Sequence, residues 1–214
     1  MTAAECPFCH AQQITADGYC ESCGRKVPSG RDHLELDLGP LAGVTDKGLR
    51  HARNEDAMAL ATAESAGGPA LLAVVCDGVS SSRRPDEASQ AAVQAAVRVL
   101  LAGVRAGEDL TETSKAAVAA AQQALAALAE PDLGDPPSAT FVSAVMTTEA
   151  VTLCWLGDSR AYWLGSGTGV DAQRLTHDDS LAGEMIAASS CSRQPRSHTV
   201  AHRWAASRVS TCQD

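Results

Sequence analysis

Four of the eight cysteines of this 214-residue chain fall within its first 23 residues, as the pairs CPFC and CESC. Two residues between thiols let one tight turn present both sulfurs to the same ion, and two such turns complete a tetrahedral shell. Cys6, Cys9, Cys20 and Cys23 therefore predict a zinc ribbon over residues 1–26. Gly18 and Gly24 supply the permissive turns that such a ribbon needs. A unit this short has almost no apolar core, so metal binding is expected to supply most of its folding energy. Two disulfides or a redox pair are the competing reading. Four sulfurs leave no open coordination position, so the expected zinc is structural, and His10 needs no role.

The rest of the chain has material for an ordinary core: 45% of all residues are apolar. The net charge is −9, and the last 28 residues carry Arg193, Arg196, Arg203 and Arg208 against the single acid Asp214, so the body is more acidic still. An acidic body argues against nucleic acid or an anionic membrane as partner. A ribbon that binds nucleic acid would need a basic and aromatic surface around the cysteines, which is missing. The start MTAAECPFCH has no basic region leading into a hydrophobic core, and no apolar run reaches the roughly 20 residues of a membrane span. A cytoplasmic protein is the expectation, with Cys76 and Cys154 as buried thiols in strand-like runs.

Residues 27–40 mix Pro, Gly and charge and read as a linker ending in a first strand. Short apolar or alternating runs at 57–63, 69–76, 139–148, 150–157 and 160–165 predict strands, with TTEA at 147–150 as a hairpin turn. Two alanine-rich helices are expected between them. The first, DEASQAAVQAAVRVLLAG, would be capped by Asp86 or Ser82 and bury Ala88, Ala92, Val93, Ala96, Val97, Leu100 and Leu101. The second, TETSKAAVAAAQQALAALAE, would stop at Pro131. Strands, two consecutive helices and more strands predict an α+β arrangement rather than a βαβ alternation. Residues 187–214 contain no apolar strand and read as an irregular or disordered tail.

The acids pose the functional question. Glu55 and Asp56 end the stretch TDKGLRHARNED, Asp77 and Gly78 end the apolar run VVCDG, and Asp158 sits in GDSR. A carboxylate fixed at a strand end before a glycine often marks a site, and crowded carboxylates repel unless a cation or proton neutralises them. Oxygen ligands of this kind suit Mg²⁺ or Mn²⁺. A solvated acidic turn with a separate loop aspartate is the plainer alternative.

GVTDKGLRHARNED (43–56), VVCDGVSS (74–81), PSATFVSAV (137–145), WLGDSRAYWL (155–164) and LTHDDS (175–180), in this order, resemble the metal-dependent serine/threonine protein phosphatases of the PPM type in their bacterial form. The resemblance implies a four-layer α/β/β/α sandwich, here incomplete, over residues 41–186. It implies two Mn²⁺ or Mg²⁺ ions, with a weaker third: Asp77 bridging, Gly78 offering its carbonyl, Glu55 and Asp56 in or near the coordination shell, and Asp158 at the third site. Asp46 would brace the first turn, and Thr140 would sit in strand pairing. Phosphorylated proteins are the implied substrates, hydrolysed by an activated water, with a protein partner for the ribbon also expected.

Three departures accompany the resemblance. The family's phosphate-gripping arginine falls at His51, next to Arg50, and histidine carries little charge at neutral pH. DGVSS replaces a glycine-rich continuation, with Ser80 to Ser82 read as loop or cap residues. The two later aspartates that complete the first metal site are not found, which predicts impaired catalysis or, alternatively, a catalytically inactive binding or regulatory module. Trp155 and Trp163 are expected to pack the core, and His177 to be a loop residue.

Overall fold

The computed structural model describes residues 5–6, 8–15, 18–25, 27, 30–65, 67–130, 135–165, 172–179 and 208–211. The chain divides into two compact units, one of residues 1–35 with 44–54 and one of 36–43 with 55–214.

In the first unit the two cysteine knuckles repeat one hydrogen-bond pattern. The N–H of Cys6 donates to the Ala11 carbonyl and that of His10 to the Cys6 carbonyl, at 2.9 and 2.8 Å. In the second knuckle Cys20 donates to Arg25 and Gly24 to Cys20, again at 2.9 and 2.8 Å. The fourth residue after the leading cysteine must adopt a left-handed backbone: Gly24 has φ 68° and His10 φ 62°. His10 thus occupies a glycine-like position, and its Nδ1 lies 2.8 Å from Glu5 Oε1. The strands β1 (His33–Asp37) and β2 (Ala42–Asp46), whose residues 36–37 and 42–43 count with the second unit, form a small two-stranded sheet, so a strand begins inside the expected linker.

The second unit is built on a sheet of order β3-β4-β5-β6-β9, with β3 at Asp56–Ser65, β4 at Gly68–Asp77, β5 at Phe141–Met146, β6 at Ala150–Leu156 and β9 at Arg208–Thr211. The first four strands run antiparallel in sequence order, and Thr147 closes the β5–β6 hairpin onto Ala150 as the TTEA stretch predicts. Alternation sets the faces. Ala70, Leu72, Val74 and Cys76 of β4, with Ala57 and Ala63 of β3 and Phe141 and Val145 of β5, are buried beneath the helices α1 (Pro85–Ala106) and α2 (Leu110–Ala127). Ala88, Ala92, Ala96, Ala117 and Ala121 are small enough for the two helices to approach closely, and Val93 and Leu100 fill the space against the sheet. On the opposite face Val151, Leu153 and Trp155 form a second cluster with Val142, Ala144, Ala161, Trp163 and Leu175. The short sheet of β7 (Tyr162–Trp163) and β8 (Gln173–Arg174) adjoins this cluster in sequence. One helical layer on one large sheet, with a partial cover on the other face, is an incomplete α+β sandwich.

Four expectations change. Helix α1 is capped by neither Asp86 nor Ser82: Arg84, at φ 52°, is its N-cap and makes no side-chain cap bond. Pro85 fixes the first helical residue and disfavours the right-handed α region for the residue before it. Helix α2 ends at Ala127, before Pro131 is reached, and Asp109 caps its start by accepting the Glu112 N–H at 2.9 Å. Most of the expected tail lies outside the described residues, but Arg208–Thr211 pairs parallel to β6. Backbone pairing with β-branched Val and Thr makes an edge strand without a long apolar run. Cys154 is disulfide-bonded and so is not the free thiol expected, because spacing does not reveal the pairing of distant cysteines. Cys76 does remain a free buried thiol, which burial pushes up to about 12.

Candidate functional site

Antiparallel strands joined in sequence order bring alternate ends to one edge of the sheet. The start of β3, the end of β4, the start of β5 and the end of β6 all meet there, and these are the positions of the acids. Asp56 opens β3 and pairs directly with Asp77, the last residue of β4. By alternation both belong to the face away from the helices, in line with Met58 and Val75. Asp158 follows β6 immediately after Gly157, whose φ is 92°.

Asp77 feels all of these neighbours. Partial burial, then the charge of Asp56 and a hydrogen bond with it, then the charges of Asp158 and Glu55 push its carboxyl up to about 6. Every one of these influences raises it, the signature of an acid cluster short of positive charge. Such a donor set fits a hard divalent cation bound through oxygen. The cluster is open: among the described residues the four ribbon cysteines are the group of three or more His, Cys, Asp or Glu whose ligand atoms all lie within 4.8 Å.

Hydroxyls and a glycine fix the acids. The Asp77 N–H donates to Thr140 Oγ1 at 3.0 Å, the Thr140 N–H donates to the Asp77 carbonyl at 2.8 Å, and Thr140 Oγ1 lies 2.6 Å from Ser159 Oγ, beside Asp158. Gly78 donates its N–H to the Glu55 carbonyl at 3.0 Å. A Cβ at Gly78 would lie 2.2 Å from the Pro85 carbonyl oxygen and 2.7 Å from that of Glu55, so no larger residue fits between β3 and α1. Ser80 donates its hydroxyl to Glu55 Oε2. The loop 175–179 docks by side chains as well as backbone. Arg160 grips Asp178 with two nitrogens at 2.9 and 2.6 Å, and Trp155 Nε1 donates to the His177 carbonyl at 2.9 Å. Edge-on packing of the His177 ring against Trp155, at 5.2 Å between centroids, makes it a packing residue of the loop.

Arg50 and His51 are exposed and belong to the first unit, whereas Glu55, Asp56, Asp77 and Asp158 belong to the second. In that unit Asp46 accepts the Gly48 N–H at 2.7 Å and pairs with His33 Nδ1 at 2.8 Å. The Gly48 bond first and His33 second hold Asp46 below the usual carboxylate range. Asn54, which sequence reasoning passed over, is buried and donates to the Arg31 carbonyl at 3.0 Å and Thr45 Oγ1 at 2.8 Å. Ser80 and Ser159 were also missed as partners of the acidic cluster. The only sequence signal for either was adjacency to DG and GD.

The four cysteines of the first unit are gathered with no distant help. Cys6 and Cys23 sulfurs lie 3.7 Å apart and those of Cys9 and Cys20 3.5 Å. The two sulfurs of the Cys9–Cys20 contact diverge: the backbone at Cys23, with Cys9 and Ser22, lowers Cys20 to about 7, while Cys9, against a backbone bond from Ala11 that lowers it, is raised to about 12 by Cys20, burial, Cys23 and Cys6. Among the described residues no helix is long and apolar enough to cross a membrane.

No curated protein matches the chain by sequence. Among solved structures it is similar to the catalytic domain of the serine/threonine protein phosphatase PstP, in complex with two manganese ions, at 29% identity and a TM-score of 0.53, over 68% of this chain and 58% of that one. It is also similar in fold to the S. agalactiae serine/threonine phosphatase, at 20% identity and a TM-score of 0.51, over 70% of this chain and 60% of the other. The chain thus spans under two thirds of the length of these relatives. The sequence profile described as Protein phosphatase 2C matches residues 49–211, three quarters of the chain and all four acids of the cluster, and the chain belongs to that family.

Proposed function

We propose that the second unit is the core of a metal-dependent phosphatase acting on phosphoserine and phosphothreonine in proteins. The observation that carries this reading is Asp77, crowded by Asp56, Asp158 and Glu55 at the strand ends of a family member. Asp77, with Asp56, Glu55, the Gly78 carbonyl and Asp158, would hold Mn²⁺ or Mg²⁺, and two such ions supply the charge that activates a water for in-line attack on phosphorus. The protein's own part is positional. Thr140 fixes the Asp77 backbone, Ser159 links Thr140 to the Asp158 loop, and Gly78 holds β3 and β4 in step at Glu55. Arg50 is the group proposed to hold the substrate phosphate, since it is charged at every working pH, with His51 contributing only when protonated. Zinc on Cys6, Cys9, Cys20 and Cys23 orders the first unit, which offers a surface for a protein partner. Ligand thiols must be reduced, which supports the cytoplasm despite the disulfide at Cys154.

The test is hydrolysis of an aryl phosphate and of a phosphothreonine peptide at millimolar manganese. Turnover that disappears in Asp77→Asn is expected, and its absence in the parent chain overturns catalysis. The second reading, an inactive binding module, draws on His51 standing where the resemblance places the phosphate-gripping arginine, and predicts manganese uptake without turnover.

A further inference from the structure

The reading of the acidic site leaves one side chain unassigned. Ser80 follows Asp77 and Gly78 where the family resemblance leads one to expect glycine, and glycine has no hydroxyl to give. Here the hydroxyl donates to Glu55 Oε2, across 25 positions of sequence. A flexible surface serine would make such a bond only in passing. The turn that carries Ser80 is not flexible in that sense, because each neighbour is tied down. Gly78 is bonded to the Glu55 carbonyl at 3.0 Å and forms a bridge with Ala139. Val79 donates its N–H to the Ser138 carbonyl at 2.9 Å. Ser82 donates its N–H and its hydroxyl to the Val79 carbonyl, at 2.8 and 2.7 Å, and its Oγ accepts the Ser138 N–H at 3.2 Å. The backbone thus delivers Ser80 to Glu55.

Resting on the phosphatase reading above, we propose that Ser80 is a positioning residue: by holding Oε2 it sets the orientation in which the Glu55 carboxylate meets the ion. A hydroxyl bonded to a carboxylate is a strong, charge-assisted contact, and it restricts the rotation of a side chain that is otherwise half-buried and long. Partners of this kind orient a ligand before the ion arrives, and removing one typically weakens metal binding by about 10- to 100-fold.

The experiment is a calorimetric titration of the full chain, zinc-loaded, with manganese. Ser80→Ala is expected to weaken the uptake about tenfold, whereas Ser80→Thr, which keeps the hydroxyl, stays close to the parent. Ser80→Thr against Ser80→Val repeats the comparison with side chains of one shape, and melting of the metal-free proteins shows that each is folded. Equal manganese affinity in parent and Ser80→Ala, or equal weakening in Thr and Val, overturns the brace while leaving the acidic site intact. A parent chain that takes up no manganese overturns both.

Discussion

The two units gather their metal-binding groups by different means. In the first, sulfurs from two local turns lie within 4.8 Å of one another, and each knuckle closes through hydrogen bonds spanning four or five residues. In the second, carboxylates come from residues 55 to 158, and strand register brings them into charge contact without a closed cage. The first has little core, so the ion proposed for its four sulfurs would supply most of its folding energy. The second has a large core and holds its acids against their mutual repulsion. On the proposed reading a metal would be a folding device in one unit and a guest at a prefolded edge in the other.

This contrast breaks most visibly at the cysteines. Cys20→Ser, or chelation of zinc, should unfold residues 5–25, since structural zinc contributes apparent energies of about 10–16 kcal/mol to units of this kind. Hydrogen exchange should show protection lost there and kept in β4 and α1; loss in both units would deny the separation. Next in size, Leu72→Ala empties the fully buried centre of β4 and should cost the sheet unit about 3 kcal/mol. Urea melts would measure it, with zinc stoichiometry unchanged.

Asp77→Asn gives the smallest effect on stability and the most informative sign. Its raised value means that the folded, metal-free protein binds a proton more tightly than the unfolded chain. Stability should therefore fall as pH rises from about 4 through about 6. After allowance for solvent screening, Asp77→Asn should stabilise the metal-free protein at neutral pH by on the order of 1 kcal/mol. The same substitution should abolish the rise in melting temperature on adding manganese. A destabilised Asn variant would show that Asp77 is a structural acid.

Features that depend on neighbours in sequence were legible. The C-x₂-C spacing gave the cysteine cluster, the short apolar run PALLAVVC bounded by glycines gave β4, and alanine-rich periodicity gave both helices. The cap of α1 was misread because the helix starts at Pro85 on a left-handed Arg84, a backbone geometry that side-chain capping preferences do not register. His10 gave no signal, since its place is set by a backbone angle that glycine takes in the sister knuckle. Asp56 and Asp77 could be named as acids, but their opposition depends on strand register. Ser80, Thr140 and Ser159 reach the cluster through chain separations on which spacing is silent.

The pairing of Asp56 with Asp77 also couples chemistry to solubility through simple parity. Residues of β4 take turns between the two faces of the sheet, so the acid at its end and the leucine at its middle occupy opposite sides by odd and even count alone. A one-residue insertion within β4 between them would put carboxylate and Leu72 on the same side. Such a chain would lose its ligand or its core, so a change of length is expected to be tolerated only in the turns between strands.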